Sequence, residues 1–251
     1  MRAAACSSDY VEPPEVTPTT GSPVGRRVIL GMVGLGAIGV VFGSSIQSAI
    51  DSVLAPLRNA DPTGLTGLIP GEGGWRYYSV VSSNPDVSVD EYRLQVTGLV
   101  EHEATLSYAD LAALPQTQLT RDFQCVTGWR IQDVAWQGVQ LRDLIEHVGV
   151  MSGAKALKFS SSDGTYTESL TLEQATTMDC IVATHLEGTV VNREHGGPVR
   201  LYVAPMYGYK SLKWLDQIEV VDAVEPGYWE VRGYDVDAYV GASNGRDDEQ
   251  T

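Results

Sequence analysis

The sequence predicts an α+β domain, a mixed β-rich core with short helices, and three observations carry that expectation. Apolar runs bounded by Gly and Pro recur along residues 92–221 and read as strands. The segments with a helical period are short and open or close on capping residues. The 251 residues are 43% hydrophobic and 20% charged, enough for one sizeable globular domain with appendages.

Residues 1–25 carry Pro13, Pro14, Pro18 and Pro23 among Thr, Ser and Glu, the composition of a disordered arm. Arg26 and Arg27 then precede a stretch from Val28 to Ile50 that holds no charged side chain, and about 20 apolar residues suffice to cross a bilayer. An arginine pair before a weakly apolar, Gly-rich segment resembles a twin-arginine export signal. Residues 26–50 therefore read as such a signal or as an uncleaved membrane anchor, with the bulk of the chain outside the cytoplasm. A buried Gly-rich helix is the competing reading. Residues 51–74, with Pro56, Pro62, Pro70 and the run from Gly71 to Gly74, read as a linker, which puts the folded domain at 75–240.

Within that domain, Tyr92 to Val100 alternates and contains Gly98, a strand signature. Ser107 is the expected N-cap of a short helix through Leu114, closed by Pro115. Val139 to Val148 reads as a second helix, with Leu141, Leu144, Ile145 and Val148 on one face and Gly149 at its end. Thr171 to Gln174 is a capping-box pattern that opens a third. Strand-like runs cover Ala156–Ser160, Val199–Ala204 and Leu212–Val221. The polar, acidic residues 241–251 read as a disordered tail.

Seventeen Lys and Arg against 32 Asp and Glu give a net charge of -15, which repels a phosphate backbone and argues against a nucleic-acid partner. Cys6, Cys125 and Cys180 are too few and too scattered for a disulfide framework or a zinc knuckle. Spacing alone leaves Cys125 open between a buried free cysteine and a metal ligand. Arg121 and Arg130 flank it, and nearby cations favour a thiolate. Arg193, Arg200, Lys210 and Lys213 make a locally basic stretch that suits an anion. The turn Gly196-Gly197-Pro198 beside His195 points to backbone brought close to a ligand.

Three stretches carry a resemblance: RDFQCVTGWR from Arg121, HGGPVRLYVAPMYGYKSLK from His195, and YWEVRGY from Tyr228. Together they resemble the molybdenum-cofactor domain of the sulfite oxidase family over residues 75–238, closest to its smaller branch, the bacterial periplasmic methionine-sulfoxide reductase catalytic subunit type. The resemblance implies a molybdenum-molybdopterin cofactor with Cys125 as the metal ligand, and a soft thiolate is the group suited to complete a sulfur-rich shell. It implies that His195, Arg200, Ser211, Leu212 and Lys213 bind the cofactor, with looser matches at Ser161 and Tyr78. It places Tyr234 and Arg130 at the reacting centre, where a phenol donates a hydrogen bond or proton.

The family's Arg-Asn-His stretch is replaced near Ser82, Ser83 and Asn84, and Trp129 stands beside Arg130. A dianion needs several cations, so the expected substrate is a small neutral oxo-compound of the sulfoxide type, reduced by oxygen-atom transfer in the cell envelope. Sulfite dehydrogenation and a cofactor-free binding module on the same fold are the alternatives. No haem-attachment C-x-x-C-H is present, so a separate electron-transfer partner is expected, of the membrane cytochrome kind, serving a monomeric catalytic subunit.

Overall fold

Strand pairing sorts the domain into two sheets. The computed structural model describes residues 53–60 and 70–250. The arm and the apolar segment from Val28 to Ile50 lie outside the described residues, among which no helix is long and apolar enough to cross a membrane. The strands are β1 (Arg93–Gly98), β2 (Ala104–Ser107), β3 (Thr117–Gln124), β4 (Arg130–Gln140), β5 (Ala156–Ser161), β6 (Thr167–Thr171), β7 (Cys180–Leu186), β8 (Thr189–Val190), β9 (Arg200–Val203) and β10 (Leu215–Val221). The α-helices set among these strands are α1 (Tyr108–Ala113), α2 (Leu141–Val148) and α3 (Leu172–Thr177). One sheet has the order β2-β1-β10-β5-β6, with β1 and β10 parallel and Val96 opposite Ile218. The other has the order β3-β4-β7-β8, and β9 pairs antiparallel with β7. The expected α+β class stands, with short helices beside a mixed, sheet-rich core.

Local chemistry explains the elements. Ser107 and Thr171 each accept a bond from a backbone N–H three residues on and receive a side chain in return, so both capping boxes form. The second helix begins at Leu141, not Val139, because Val139 and Gln140 are claimed by β4 and pair with Val182 and Ile181. β7 and β9 are buried along nearly their whole length because their sheet is covered on both faces. Val182, Leu201 and Val203 pack with Leu94, Phe159 and Ile218 of the first sheet. Ile181, Ala183 and Tyr202 join Trp75, Phe123 and Trp136 in a second, aromatic cluster. β4 approaches β7 so closely that a Cβ on Gly138 would lie 2.1 Å from the Val182 carbonyl oxygen.

Two expectations at the ends change. Within the expected linker, residues 53–59 are helical, and Arg58 is only 3% exposed. Its guanidinium pairs with Glu194 at 3.6 Å and lies 4.7 Å over the Tyr77 ring, while Asn84 N–H donates to the Asn59 carbonyl at 2.7 Å. In the expected disordered tail, residues 241–250 lie against the body: Tyr207 Oη donates to Asp248 at 2.8 Å, and Asn244 Nδ2 donates to Tyr209 Oη at 3.0 Å. Composition misleads in both places because a few charged and amide groups, rather than apolar surface, make the contacts.

Candidate active site

The site grows out of the aromatic cluster. β3 and β4 form a long hairpin whose connecting loop begins at Cys125. Cys125 N–H donates to the Trp129 carbonyl and Gly128 N–H to the Cys125 carbonyl, both at 2.9 Å, which holds the loop tight. The thiol opens into a cavity of about 340 Å³. Also in its wall are Tyr78, His195, Arg200, Ser211, Leu212, Lys213 and Tyr234, so residues more than 150 positions apart in the chain converge here.

Arg130 and Ser161 are not among the lining residues. Arg130 Nε donates to Gln124 Oε1 at 2.7 Å, and its guanidinium faces Asp122 at 3.6 Å and the Glu249 carbonyl. Ser161 Oγ accepts from Asp163 N–H at 3.2 Å, closing a turn whose Asp163 reaches the cavity in its place.

Burial pushes the Cys125 thiol above the usual range, against the pull of a Thr127 hydroxyl 3.2 Å away and of the Arg246 and Arg76 charges. The expected cations, Arg121 and Arg130, are replaced by these two. Arg121 sits at a register irregularity of β3 and turns outward to Asp179 at 2.7 Å. A metal binding this sulfur must displace its proton.

Around His195 the charge is positive and enclosed. Arg200 donates to the carbonyls of His195 at 2.6 Å and Ser211 at 2.7 Å, and its guanidinium lies 5.5 Å from the Trp136 ring. Burial lowers its pKa to about 10. Lys213 Nζ donates to the Glu194 carbonyl at 3.2 Å and lies 4.6 Å from the Trp214 ring. Burial first and Arg200 second pull Lys213 down to about 7, against Asp163 and Glu194. Burial and the charges of Arg200, Lys213 and Arg58 drive His195 down to about 3, so its ring is neutral and shares a proton with Tyr77 Oη across 3.2 Å. Trp214 holds a left-handed backbone (φ 51°), which a bulky side chain adopts only under restraint. Its Nε1 donates to the Arg193 carbonyl and its N–H to the Gly196 carbonyl.

The Gly196-Gly197 turn is close to protein rather than open to a ligand: a Cβ at Gly196 would lie 2.4 Å from Lys213 Cβ. Tyr234 packs edge-on to Tyr209 and tilted on Trp229, each with ring centroids 5.3 Å apart. Trp75, Tyr77 and Tyr166, which the sequence does not single out as site residues, also line the cavity, as do Arg76 and Trp229. The aromatic run Trp75-Arg76-Tyr77-Tyr78 at the start of the domain was the available signal.

These groups fit a molybdopterin. Arg200 and Lys213 are cations with no carboxylate at ion-pair distance among the described residues, and a phosphate would relieve their repulsion. The Trp129 Nε1–H is buried at the cavity without a partner among those residues, a donor awaiting a ligand oxygen. Cys125 supplies the soft donor.

Comparison with known proteins agrees with this chemistry. The model of the oxidoreductase molybdopterin binding domain matches residues 81–229. The chain is 33% identical over 196 residues to the "Uncharacterized oxidoreductase YuiH" of Bacillus subtilis, covering 77% of this chain and 91% of that one. It is 29% identical over 180 residues to a sulfite oxidase of Arabidopsis thaliana, covering 58% of this chain and 46% of the relative. It is 28% identical over 166 residues to the protein-methionine-sulfoxide reductase catalytic subunit MsrP of Campylobacter jejuni, covering 60% and 56%. The chain thus spans about half the length of these last two. The crystal structure of the sulfane dehydrogenase SoxCD from Paracoccus pantotrophus shares the fold at a TM-score of 0.54 and 24% identity, over 61% of this chain and 44% of that one. The chain belongs to the molybdopterin-binding oxidoreductases of the sulfite oxidase family.

Proposed function

We propose that this oxidoreductase reduces a small neutral oxo-compound of the sulfoxide type. The observation that carries the reading is the wall around Cys125. Trp129, Trp229 and Tyr234 line it, and Arg130 is turned away into its own hydrogen bonds. Such a wall packs alkyl groups and leaves phenol and indole donors for an oxygen. The likeness to MsrP of Campylobacter jejuni supports the same substrate class.

Cys125 would hold molybdenum, while Arg200 and Lys213 would hold the phosphate of the molybdopterin, with the neutral His195 beside them. Once bound, the cofactor supplies two-electron oxygen-atom transfer. Tyr234 orients the substrate oxygen by hydrogen bonding, and the aromatic wall excludes water. Electrons come from a separate donor, a membrane cytochrome in this proposal. The Arg26-Arg27 pair and the segment from Val28 to Ile50 support a cell-envelope location by twin-arginine export or anchoring. Arg26→Lys with Arg27→Lys should then hold the enzyme in the cytoplasmic fraction, and unchanged fractionation removes this part of the proposal.

Arg76, a cation in the wall on the Cys125 side, favours a second reading, sulfite dehydrogenation. One preparation decides between the two. Sulfoxide reduction with a dye donor and sulfite oxidation with a dye acceptor are measured side by side, and sulfite turnover without sulfoxide reduction overturns the first reading.

A further inference from the structure

Behind the Tyr234 side of the cavity lies a group of charges that binding and chemistry as described leave unused. Lys210 is 1% exposed, and its Nζ faces Glu168 Oε2 at 2.9 Å and Glu230 Oε1. Glu230 Oε2 also accepts Gly227 N–H at 2.7 Å. Glu168 is itself 1% exposed. Two carboxylates thus share one ammonium in a dry interior. Ionising both leaves a net negative charge without solvation, so the cluster retains a proton. Burial raises Glu168 to about 8, with Glu230 adding to the rise and Lys210 opposing it, which puts the proton on Glu168 at neutral pH.

Tyr166 lines the cavity and also contacts the cluster. Tyr166 Oη lies 3.4 Å from Glu168 Oε1 and donates to the Tyr209 carbonyl at 2.7 Å, and the Tyr166 and Tyr209 side chains both line the cavity. Among the described residues, Lys210, Tyr209, Glu230 and Tyr166 are the titratable groups that face Glu168, from the 207–213 turn, the segment after Gly227 and the β5–β6 turn.

We propose that Glu168 stores a proton for the reaction in the cavity and passes it through Tyr166, with Lys210 stabilising the carboxylate left behind. The inference rests on the proposed sulfoxide reduction, in which R2SO takes two electrons from the reduced donor and two protons to give R2S and water. For one of those protons, the Tyr166 O–H proton moves to the departing oxygen as the Glu168 carboxyl proton moves to the Tyr166 oxygen. Glu168 is then a carboxylate paired with Lys210, and solvent restores its proton. The 3.4 Å separation is long for a ground-state bond, and such contacts commonly tighten only when substrate is present.

The test uses the molybdenum-loaded enzyme with Glu168→Gln and Tyr166→Phe. Positioned proton transfer contributes about 100-fold or more to turnover, so both variants should lose kcat by that order, with molybdenum content and KM near wild type. The wild-type pH profile should fall as pH rises through about 8, and that limb should vanish in Glu168→Gln. Infrared titration should show the carbonyl stretch of a buried protonated carboxyl, lost through the same pH range, absent in Glu168→Gln and kept in Tyr166→Phe. Wild-type kcat and pH profile in either variant overturn the proposal and leave the cluster as a clamp on the cavity wall. If the wild type reduces no sulfoxide, the functional reading fails. The infrared titration still decides whether Glu168 stores a proton.

Discussion

Lys210 and Lys213 lie three residues apart in one turn, and their surroundings are opposite. Lys213, in the cavity wall, meets Arg200, a neutral His195 and a backbone carbonyl, and the nearby Asp163 and Glu194 offset only part of the positive charge gathered there. Lys210, sealed behind the wall, is outnumbered by two carboxylates. The first neighbourhood is completed from outside by an anion and the second from inside by a proton. The same residue type therefore reads as a binding group in one place and as part of a self-balanced unit in the other. Exposure to the cavity separates the two cases.

The comparison presupposes a cofactor held at Cys125, so the largest effect breaks it at the root. Cys125→Ser should abolish activity and strip molybdenum from the purified protein, while Cys180→Ser, in the packed core between the sheets, should retain both. Activity in Cys125→Ser removes the ligation.

Next comes Arg200, whose loss leaves the carbonyls of His195 and Ser211 without their buried donor. Arg200→Ala should cost about 3 kcal/mol in chemical denaturation and lower molybdopterin content. A stable, fully loaded variant would place the phosphate elsewhere.

Lys213→Met sharpens the contrast because the two readouts should move apart. Cofactor content should fall, yet the cofactor-free protein should be as stable as wild type or gain on the order of 1 kcal/mol, since a buried charge has been removed. The sign with pH is fixed. The folded pKa near 7 lies below the usual 10.5, so from pH 7 to 10.5 the unfolded chain binds more protons and wild-type stability rises. The Met variant should lack that rise, and an equal rise in both would show that Lys213 keeps its charge.

Glu168 has the opposite sign. Its pKa is raised from 4.5 to about 8, so the folded chain holds the extra proton between those values and stability falls as pH climbs through them. Glu168→Gln should flatten that slope in thermal melts, and an undiminished slope would mean the proton resides on another group. The smallest effect belongs to the tail, where the half-buried Arg246–Asp248 pair should contribute little to stability. A larger loss in Asp248→Ala would make the tail a structural part of the domain.

Much of the site was legible in the sequence because its residues lie in short, distinctive runs. Cys125, His195, Arg200, Ser211, Leu212 and Lys213, all taken from such runs, line one cavity. What failed was direction. Arg130 follows the same motif but points into the Gln124, Asp122 and Glu249 contacts, and nothing in a linear pattern says which face of a strand a long side chain chooses. The capping boxes were readable because they are local. Glu168 and Glu230 were not, because their meaning depends on a lysine brought from a separate turn by long-range pairing.

The helix at residues 53–59 has a consequence for trimmed versions of the domain. Arg58 covers the Glu194 carboxylate, one residue before His195, and stacks on the Tyr77 ring that shares a proton with it. Cutting the chain at the start of the matched family region would strip that cover and take Trp75, Tyr77 and Tyr78 out of the wall of the cavity proposed to receive the cofactor. A domain shortened this way would keep its sheets and lose affinity for its cofactor, a defect visible in metal analysis before any assay of turnover.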